Sequence, residues 1–285
     1  MILFKKAIDF EKFIGEQKKT GKLIGFVPTM GALHAGHISL LKTSINQSDL
    51  TVCSIFVNPT QFNNPQDYQK YPVTISDDII KLEDAGCDVL FFPPVEEVYP
   101  HGLISTNYDF GNLEHILEGE YRPGHFQGVG QVVHRLLDIV QPDKIFIGQK
   151  DYQQCFIIKK LLELEQIPVE VYVEETLREA SGLALSSRNL RLSEAEKKSA
   201  AAINQSLLYV KENLAKQSIP DLIAFAKKHL LENGFSKIDY LSIVNAKTLQ
   251  TIDVWDATTP LVALLAAYIG EVRLIDNMVL TPSLL

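Results

Sequence analysis

Val27-Pro28-Thr29-Met30-Gly31-Ala32-Leu33-His34-Ala35-Gly36-His37 is the stretch from which the fold can be read. It closes an apolar run over residues 23–27 and opens residues 35–46, where Ile38, Leu41 and Ile45 recur at helical spacing. The stretch therefore reads as a strand turning directly into a helix. Further strands are expected over 50–57, 88–92, 144–147 and 169–173, and Val132, Val133, Leu136, Leu137 and Val140 mark another amphipathic helix. Strands separated by helices predict a parallel α/β sheet, whose ligands gather at the carboxyl ends of the strands.

Beyond Val173 the pattern changes. A loop to Leu192 precedes Ser193 and Glu196, spaced as a capping box, and helices are expected over 194–215 and 220–232. Strand-like runs follow over 238–244, 261–269 and 272–275. The expected architecture is α/β: a Rossmann-like parallel-sheet domain over 1–176, then a smaller α+β lid domain over 177–285, with the working cleft between them.

Length and charge bound the function. The 285 residues correspond to two domains of roughly 150 each. With 27 basic and 35 acidic side chains the net charge is −8, so no global field favours nucleic acid or an anionic membrane. Phosphate chemistry, if present, must be local. The longest strongly apolar run, 261–269, falls well short of the roughly 20 residues of a membrane span, and Lys5 and Lys6 break the apolar opening, so no signal peptide is expected. Cys53, Cys87 and Cys155 are odd in number and lack a Cys-x-x-Cys pair, which disfavours disulfides and zinc and points to a reducing cytoplasm.

A helix N-terminus offers unpaired N–H groups and partial positive charge, and Gly31 and Gly36 remove side chains where a phosphate would approach the backbone. His34 and His37, three apart, share a helix face from which both can donate to phosphate oxygens. Metal ligation is the other reading of two imidazoles, but no third ligand stands at suitable spacing. The chain has neither Gly-x-Gly-x-x-Gly nor a Walker loop, which disfavours dinucleotide oxidoreductases and P-loop ATPases. Lys150 follows the strand over 144–147, and a cation at a helix start is unfavourable without an anion to meet it. Asp151 either caps that helix or accepts from a ligand hydroxyl. Ser186, Ser187 and Arg188 combine two hydroxyls with a guanidinium, a set able to wrap phosphate. Asp77 and Asp78, in the first turn of a helix running to Ala85, suit the helix dipole or a hard cation.

Residues 28–37 resemble the His-x-Gly-His turn of the nucleotidyltransferase superfamily that includes class I aminoacyl-tRNA synthetases. Four further motifs narrow the resemblance: Ser54-Ile55-Phe56-Val57-Asn58-Pro59-Thr60-Gln61-Phe62, Arg122-Pro123-Gly124-His125-Phe126, Gly148-Gln149-Lys150-Asp151-Tyr152-Gln153-Gln154 and Gly182-Leu183-Ala184-Leu185-Ser186-Ser187-Arg188-Asn189. In this order, with Arg273-Leu274-Ile275-Asp276-Asn277 near the end, they closely resemble the pantoate-beta-alanine ligase family.

The resemblance implies condensation of (R)-pantoate with beta-alanine, consuming ATP and releasing AMP and pyrophosphate through a pantoyl adenylate, with Mg²⁺ on the nucleotide and a homodimeric assembly. It implies catalytic roles for His34, His37, Lys150 and Arg188; for the amide-forming step, positioning of the amine is expected to contribute more than a strong base, with His37 the group that handles a proton. ATP would meet Pro28, Met30, Gly31 and Gly36 beside the two histidines. Gly148 and Asp151 would lie against its ribose, and Leu177, Leu185, Ser186 and Ser187 would join Arg188 in a mobile phosphate loop. Pantoate would bind Gln61 and Gln154 among the apolar side chains of Met30, Phe62, Val132, Val133 and Phe146. Asn58, Arg122 and His125 would line the entry of beta-alanine, and Asp77 would supply the magnesium carboxylate. Ser181 departs from the pattern, which commonly carries Asp immediately before Gly182. A cytidylyltransferase-like enzyme, using the same turn to transfer a nucleotide permanently, is the nearest alternative, and product analysis separates the two. A nucleic-acid-binding relative is a further alternative, opposed by the missing basic stripe.

Overall fold

The computed structural model describes residues 1–62, 65–103 and 106–281. The chain divides into two compact units, Met1–Gln149 with Gln153–Glu175, and Lys150–Tyr152 with Thr176–Leu285.

The first unit runs β1 (Ile2–Phe4), α1 (Ala7–Lys19), β2 (Ile24–Thr29), α2 (Ala35–Gln47), β3 (Leu50–Ile55), α3 (Pro65–Gln69), α4 (Ile75–Asp84), β4 (Val89–Phe91), α5 (Val95–Val98), α6 (Glu118–Tyr121), α7 (His125–Val140), β5 (Lys144–Gly148), α8 (Tyr152–Leu164) and β6 (Glu170–Glu174), of which Tyr152 belongs to the second unit. The six strands form one parallel sheet in the order β1-β4-β3-β2-β5-β6. β3 is buried along its whole length, as a central strand covered on both faces must be, which is why it reads as an unbroken run. β1 escapes the sequence reading because it is three residues long, half exposed at the sheet edge and followed at once by two lysines. It nevertheless pairs with β4, Ile2 opposite Val89.

Chain order reverses at β2. From β2 the chain crosses over α2 to β3 on one side, whereas from β5 it crosses over α8 to β6 on the other. The carboxyl ends of adjacent β2 and β5 therefore flank the switch point of the sheet, the place where parallel α/β sheets leave a crevice for ligand.

The second unit adds α9 (Glu194–Ala200), α10 (Ala202–Asn213), α11 (Ile219–Glu232), β7 (Phe235–Asn245), β8 (Leu261–Ile269) and β9 (Val272–Val279). The strands form an antiparallel sheet in the order β7-β8-β9. Leu207, Leu222 and Leu230 of its helices pack with Leu241, Leu261 and Leu265 of its strands in one apolar core. The expected capping box forms: Glu196 N–H donates to Ser193 Oγ at 3.3 Å and Ser193 N–H to Glu196 Oε2 at 2.8 Å. The helix expected over 194–215 is two helices with Ala201 between them, and β9 runs four residues past the expected 275. Its continuation was hidden because Asp276 and Asn277, both buried, interrupt the apolar pattern with polar side chains.

Candidate active site

The turn after β2 is built to present two imidazoles. Thr29 Oγ1 donates to Ser54 O on β3 at 2.7 Å and accepts from Gly31 N at 3.2 Å, so the chain leaves the sheet in a fixed direction. Gly31 has φ +82°, and a Cβ there would stand 3.0 Å from Ile55 Cγ2 and 3.2 Å from Asp78 Oδ2, so a side chain would be both strained and crowded. Ala32 follows at φ +48°. Such a turn needs outside support, and α4 gives it: Asp78, 1% exposed, accepts from Ala32 N at 2.8 Å and Leu33 N at 2.7 Å, while Lys81 Nζ donates to Leu33 O at 2.8 Å.

His34 is the N-cap of α2, so it stands just outside the helix that His37 occupies. Gly36 N–H donates to His34 Nδ1 at 3.2 Å, and His34 N–H donates to His37 Nδ1 at 3.3 Å, with ring centroids 4.0 Å apart. Each Nδ1 is an acceptor, which in a neutral imidazole leaves the proton on Nε2. In that form both rings carry their proton on Nε2, at a helix N-terminus that favours anions. In this tautomer the Nδ1 of His37 is engaged by the His34 N–H and its proton sits on Nε2.

A second constellation gathers around Gln61. Its Nε2 donates to Met30 Sδ at 2.9 Å, and its Oε1 accepts from Asn58 Nδ2 at 3.3 Å. His125 Nδ1 lies 2.8 Å from Gln61 O, and because a carbonyl only accepts, His125 carries its proton on Nδ1. Its Nε2 then accepts from Arg122 Nη1 at 3.1 Å, and Arg122 pairs with Glu118 at 3.7 Å. Asn58, 1% exposed, also donates to Gly128 O at 3.1 Å and accepts from Tyr99 OH at 2.9 Å, so its amide ties the Gln61 turn to α7. Phe62 makes edge contacts with the rings of Tyr68 and Tyr71.

The neighbouring glutamines of α8 divide their labour. Gln153 is buried, donating to Leu113 O at 2.6 Å and Ile116 O at 3.0 Å and accepting from Glu118 N at 3.0 Å. Gln154 is half-buried, and its amide makes no hydrogen bond among the described residues. Val132, Val133 and Phe146 are core residues, with Phe146 fully buried and stacked on Tyr172 at a centroid separation of 4.9 Å.

The second unit carries the other expected site residues. Leu185 N–H donates to Leu177 O at 2.9 Å, closing the loop between them, and Gly182 sits in it at φ +89° against Asn204. Ser181 Oγ accepts from Leu183 N at 3.3 Å, so at the position where the pattern commonly has Asp this chain has a local turn acceptor. Ser186 caps the turn that follows, accepting from Arg188 N at 3.3 Å; Ser187 is buried and Arg188 half-buried. Lys150 and Asp151, after Gly148 at the end of β5, lie with their side chains 3.5 Å apart. Exposed Leu177 contributes its carbonyl to the loop closure.

Two tertiary contacts of these segments escaped the sequence. Asp78, rather than Asp77, is the buried carboxylate; the available signal was its place between Ile75, Ile79 and Leu82 on the apolar face of α4. Arg178 is the other: it forks onto Asp276 with bonds of 2.6 and 3.0 Å and also donates to Gly182 O at 3.1 Å. No local pattern could reveal that fork, because Asp276 lies 98 residues away.

Asp77 is exposed in the first turn of α4, beside the buried clamp. Among the described residues no group of three His, Cys, Asp or Glu side chains could hold a metal by itself. A lone carboxylate still fits Mg²⁺, which typically takes one or two protein carboxylates and completes its shell with phosphate oxygens and water. No helix among the described residues is long and apolar enough to cross a membrane.

Comparison with known proteins gives a consistent picture. A family model described as pantoate-beta-alanine ligase matches residues 2–279. A pantothenate synthetase of Cytophaga hutchinsonii is 44% identical over 269 residues, 94% of this chain and 95% of that one. The crystal structure of pantothenate synthetase from Thermus thermophilus superposes with a TM-score of 0.92 at 37% identity, covering 99% of this chain and 100% of the other. The pantoate-beta-alanine ligase of Francisella tularensis, solved with beta-gamma ATP and beta-alanine, gives a TM-score of 0.81 at 38% identity, with 98% of each chain covered.

Proposed function

This chain belongs to the pantoate-beta-alanine ligase family, and we propose that it joins (R)-pantoate to beta-alanine by way of a pantoyl adenylate. A pantoate carboxylate oxygen attacks the α-phosphorus of ATP and pyrophosphate leaves. The neutral amine of beta-alanine then attacks the acyl carbon, AMP leaves, and the nitrogen gives up a proton to form the amide.

The observation that supports this reading is the capping box of His34 and His37, which fixes both rings at the N-terminus of α2. Adenylation brings an anionic oxygen onto an already anionic phosphate, so donors fixed in advance lower the barrier without reorganising. Lys150, Ser186, Ser187 and Arg188 are the cationic and hydroxyl groups of the second unit suited to phosphate. Gly31 and Gly36 let the backbone approach them, Pro28 and Met30 border the adenosine, and Gly148, Asp151, Leu177 and Leu185 complete its surroundings.

Gln61 and Gln154 hold pantoate through their amides, with Met30 and Phe62 against its methyl groups. Val132, Val133 and Phe146 back that wall from the core. Arg122, steadied by Glu118 and His125, is the guanidinium suited to the beta-alanine carboxylate, and Asn58 positions Gln61. Asp77 would be the protein carboxylate of Mg²⁺, which when bound neutralises charge on the departing pyrophosphate. His34 and His37 contribute as donors, and solvent receives the amine proton. The buried free cysteines suit a reducing cytoplasm, and a homodimer follows from the family resemblance.

Isotope exchange between pyrophosphate and ATP, with pantoate present and beta-alanine omitted, tests the intermediate. Exchange should require pantoate and Mg²⁺ and should drop roughly a hundredfold or more in His37→Ala. Amide synthesis without any such exchange would rule out a reversible adenylate.

A further inference from the structure

One segment of the second unit comes from the middle of the other. Lys150–Tyr152 interrupts the first unit in sequence, yet it packs as part of the second. Hydrogen bonds within that unit tie it in place, among them Asn277 Nδ2 donating to Lys150 O at 2.9 Å and Tyr152 OH donating to Ala246 O at 3.0 Å.

Asn277 stands beside Asp276 on β9, and both are buried. Asp276 receives the fork of Arg178 described above, while Arg178 Nη2 also donates to Asn277 O at 3.1 Å. Asn277 N–H donates in turn to Asp276 Oδ1 at 2.8 Å. Arg178 lies in the loop closed by Leu177 and Leu185, and its bond to Gly182 O braces that loop from within. Downstream, Asn189 Nδ2 donates to Ala184 O at 3.0 Å and fastens the turn bearing Ser186, Ser187 and Arg188 to the same loop.

Two consecutive residues of one strand thus hold both cation-bearing segments. We propose that Asp276 and Asn277 are positioning residues for adenylation: Asp276, through Arg178, sets the loop presenting Ser186, Ser187 and Arg188, and Asn277 sets the backbone of Lys150. This rests on the reading that Lys150 and Arg188 meet the phosphates of ATP. The strand supplies what a flexible lysine and a glycine-containing loop lack, a common frame that keeps their spacing constant while nucleotide enters and pyrophosphate leaves. An isolated cation displaced by about 1 Å would lose most of its value to a transition state, and the network confines that displacement. The fork matters as a fork: a lysine at position 178 could keep the charge but could not match both carboxylate oxygens while also reaching Gly182 O.

The test pairs Arg178→Lys with Asn277→Asp, which is nearly isosteric but cannot donate to Lys150 O. Both are compared with the parent in pyrophosphate–ATP exchange, in pantoate binding by calorimetry, and in amide formation from preformed pantoyl adenylate and beta-alanine. Exchange should fall roughly tenfold to a hundredfold through its maximal rate, with pantoate affinity and the second half-reaction preserved. Should Asn277→Asp fail to fold, Arg178→Lys decides alone. Exchange at the parental rate in a folded variant overturns the positioning role, and so does a parallel loss of pantoate affinity, which would indicate general damage. Lys150→Ala and Arg188→Ala serve as reference variants: if they too exchange normally, the phosphate-site reading has failed and takes this inference with it, whereas crippled reference variants beside a normal Arg178→Lys overturn the positioning alone.

Discussion

Replacing Asp78 should separate the stability of the His34 turn from its chemistry. In Asp78→Ala the buried N–H groups of Ala32 and Leu33 lose their acceptor, and each stranded donor costs about 1–3 kcal/mol, so the loss should be about 4 kcal/mol. Thr74 Oγ1, 3.1 Å from Asp78 Oδ1, is half-buried and can turn to water, so it adds little. Asp78→Asn keeps one acceptor oxygen but points an amide N–H₂ at one of the two donors, for about 2 kcal/mol. Against a typical total of about 5–15 kcal/mol, either change is visible in urea unfolding followed by circular dichroism. Asp77→Asn, one residue away but exposed, should shift stability by less than about 0.5 kcal/mol. In exchange assays on folded Asp78→Asn, a turn displaced by about 1 Å should cost roughly a hundredfold in rate. Unfolding free energies for both Asp78 variants within about 1 kcal/mol of the parent would refute the reasoning, because the two N–H groups would then have another acceptor.

Gly31→Ala should be destabilising by about 1–2 kcal/mol from its left-handed backbone, with additional crowding against Ile55, and differential scanning calorimetry should show a lowered midpoint; an unchanged midpoint would mean the turn relaxes freely. Burial pushes the Cys87 thiol up to about 11 from its ordinary 9.0, so the unfolded chain ionises first as pH rises. The folded state keeps this contribution below pH 9 and loses it between about 9 and 11, a decline of at most about 3 kcal/mol from this thiol. Urea titrations at about pH 8 and about pH 10.5 should show a smaller alkaline loss in Cys87→Ala, and an identical loss would remove Cys87 as a source.

The alternation of strand and helix in the first unit, the α+β order of the second and the nucleotide turn were all legible in the chain before any coordinates. They follow from local physics: apolar periodicity, a helix start beside glycine, and a Ser193–Glu196 pair spaced three apart. What local pattern could not supply is pairing between distant residues. Nothing near Asp78 in sequence indicates that its carboxylate will meet the backbone of residues 32 and 33, and the chain between Arg178 and Asp276, 98 positions apart, carries no sign of their fork. The tautomers of His34, His37 and His125 were equally inaccessible, since a ring nitrogen's proton is assigned by its partner, and the partners are set by the turn and by Gln61 O. The partner of Phe146 was equally out of reach: tertiary packing stacks its ring on Tyr172, 26 positions away. Neighbouring residues govern where the chain can turn, while which buried donor meets which acceptor is decided when the layers close.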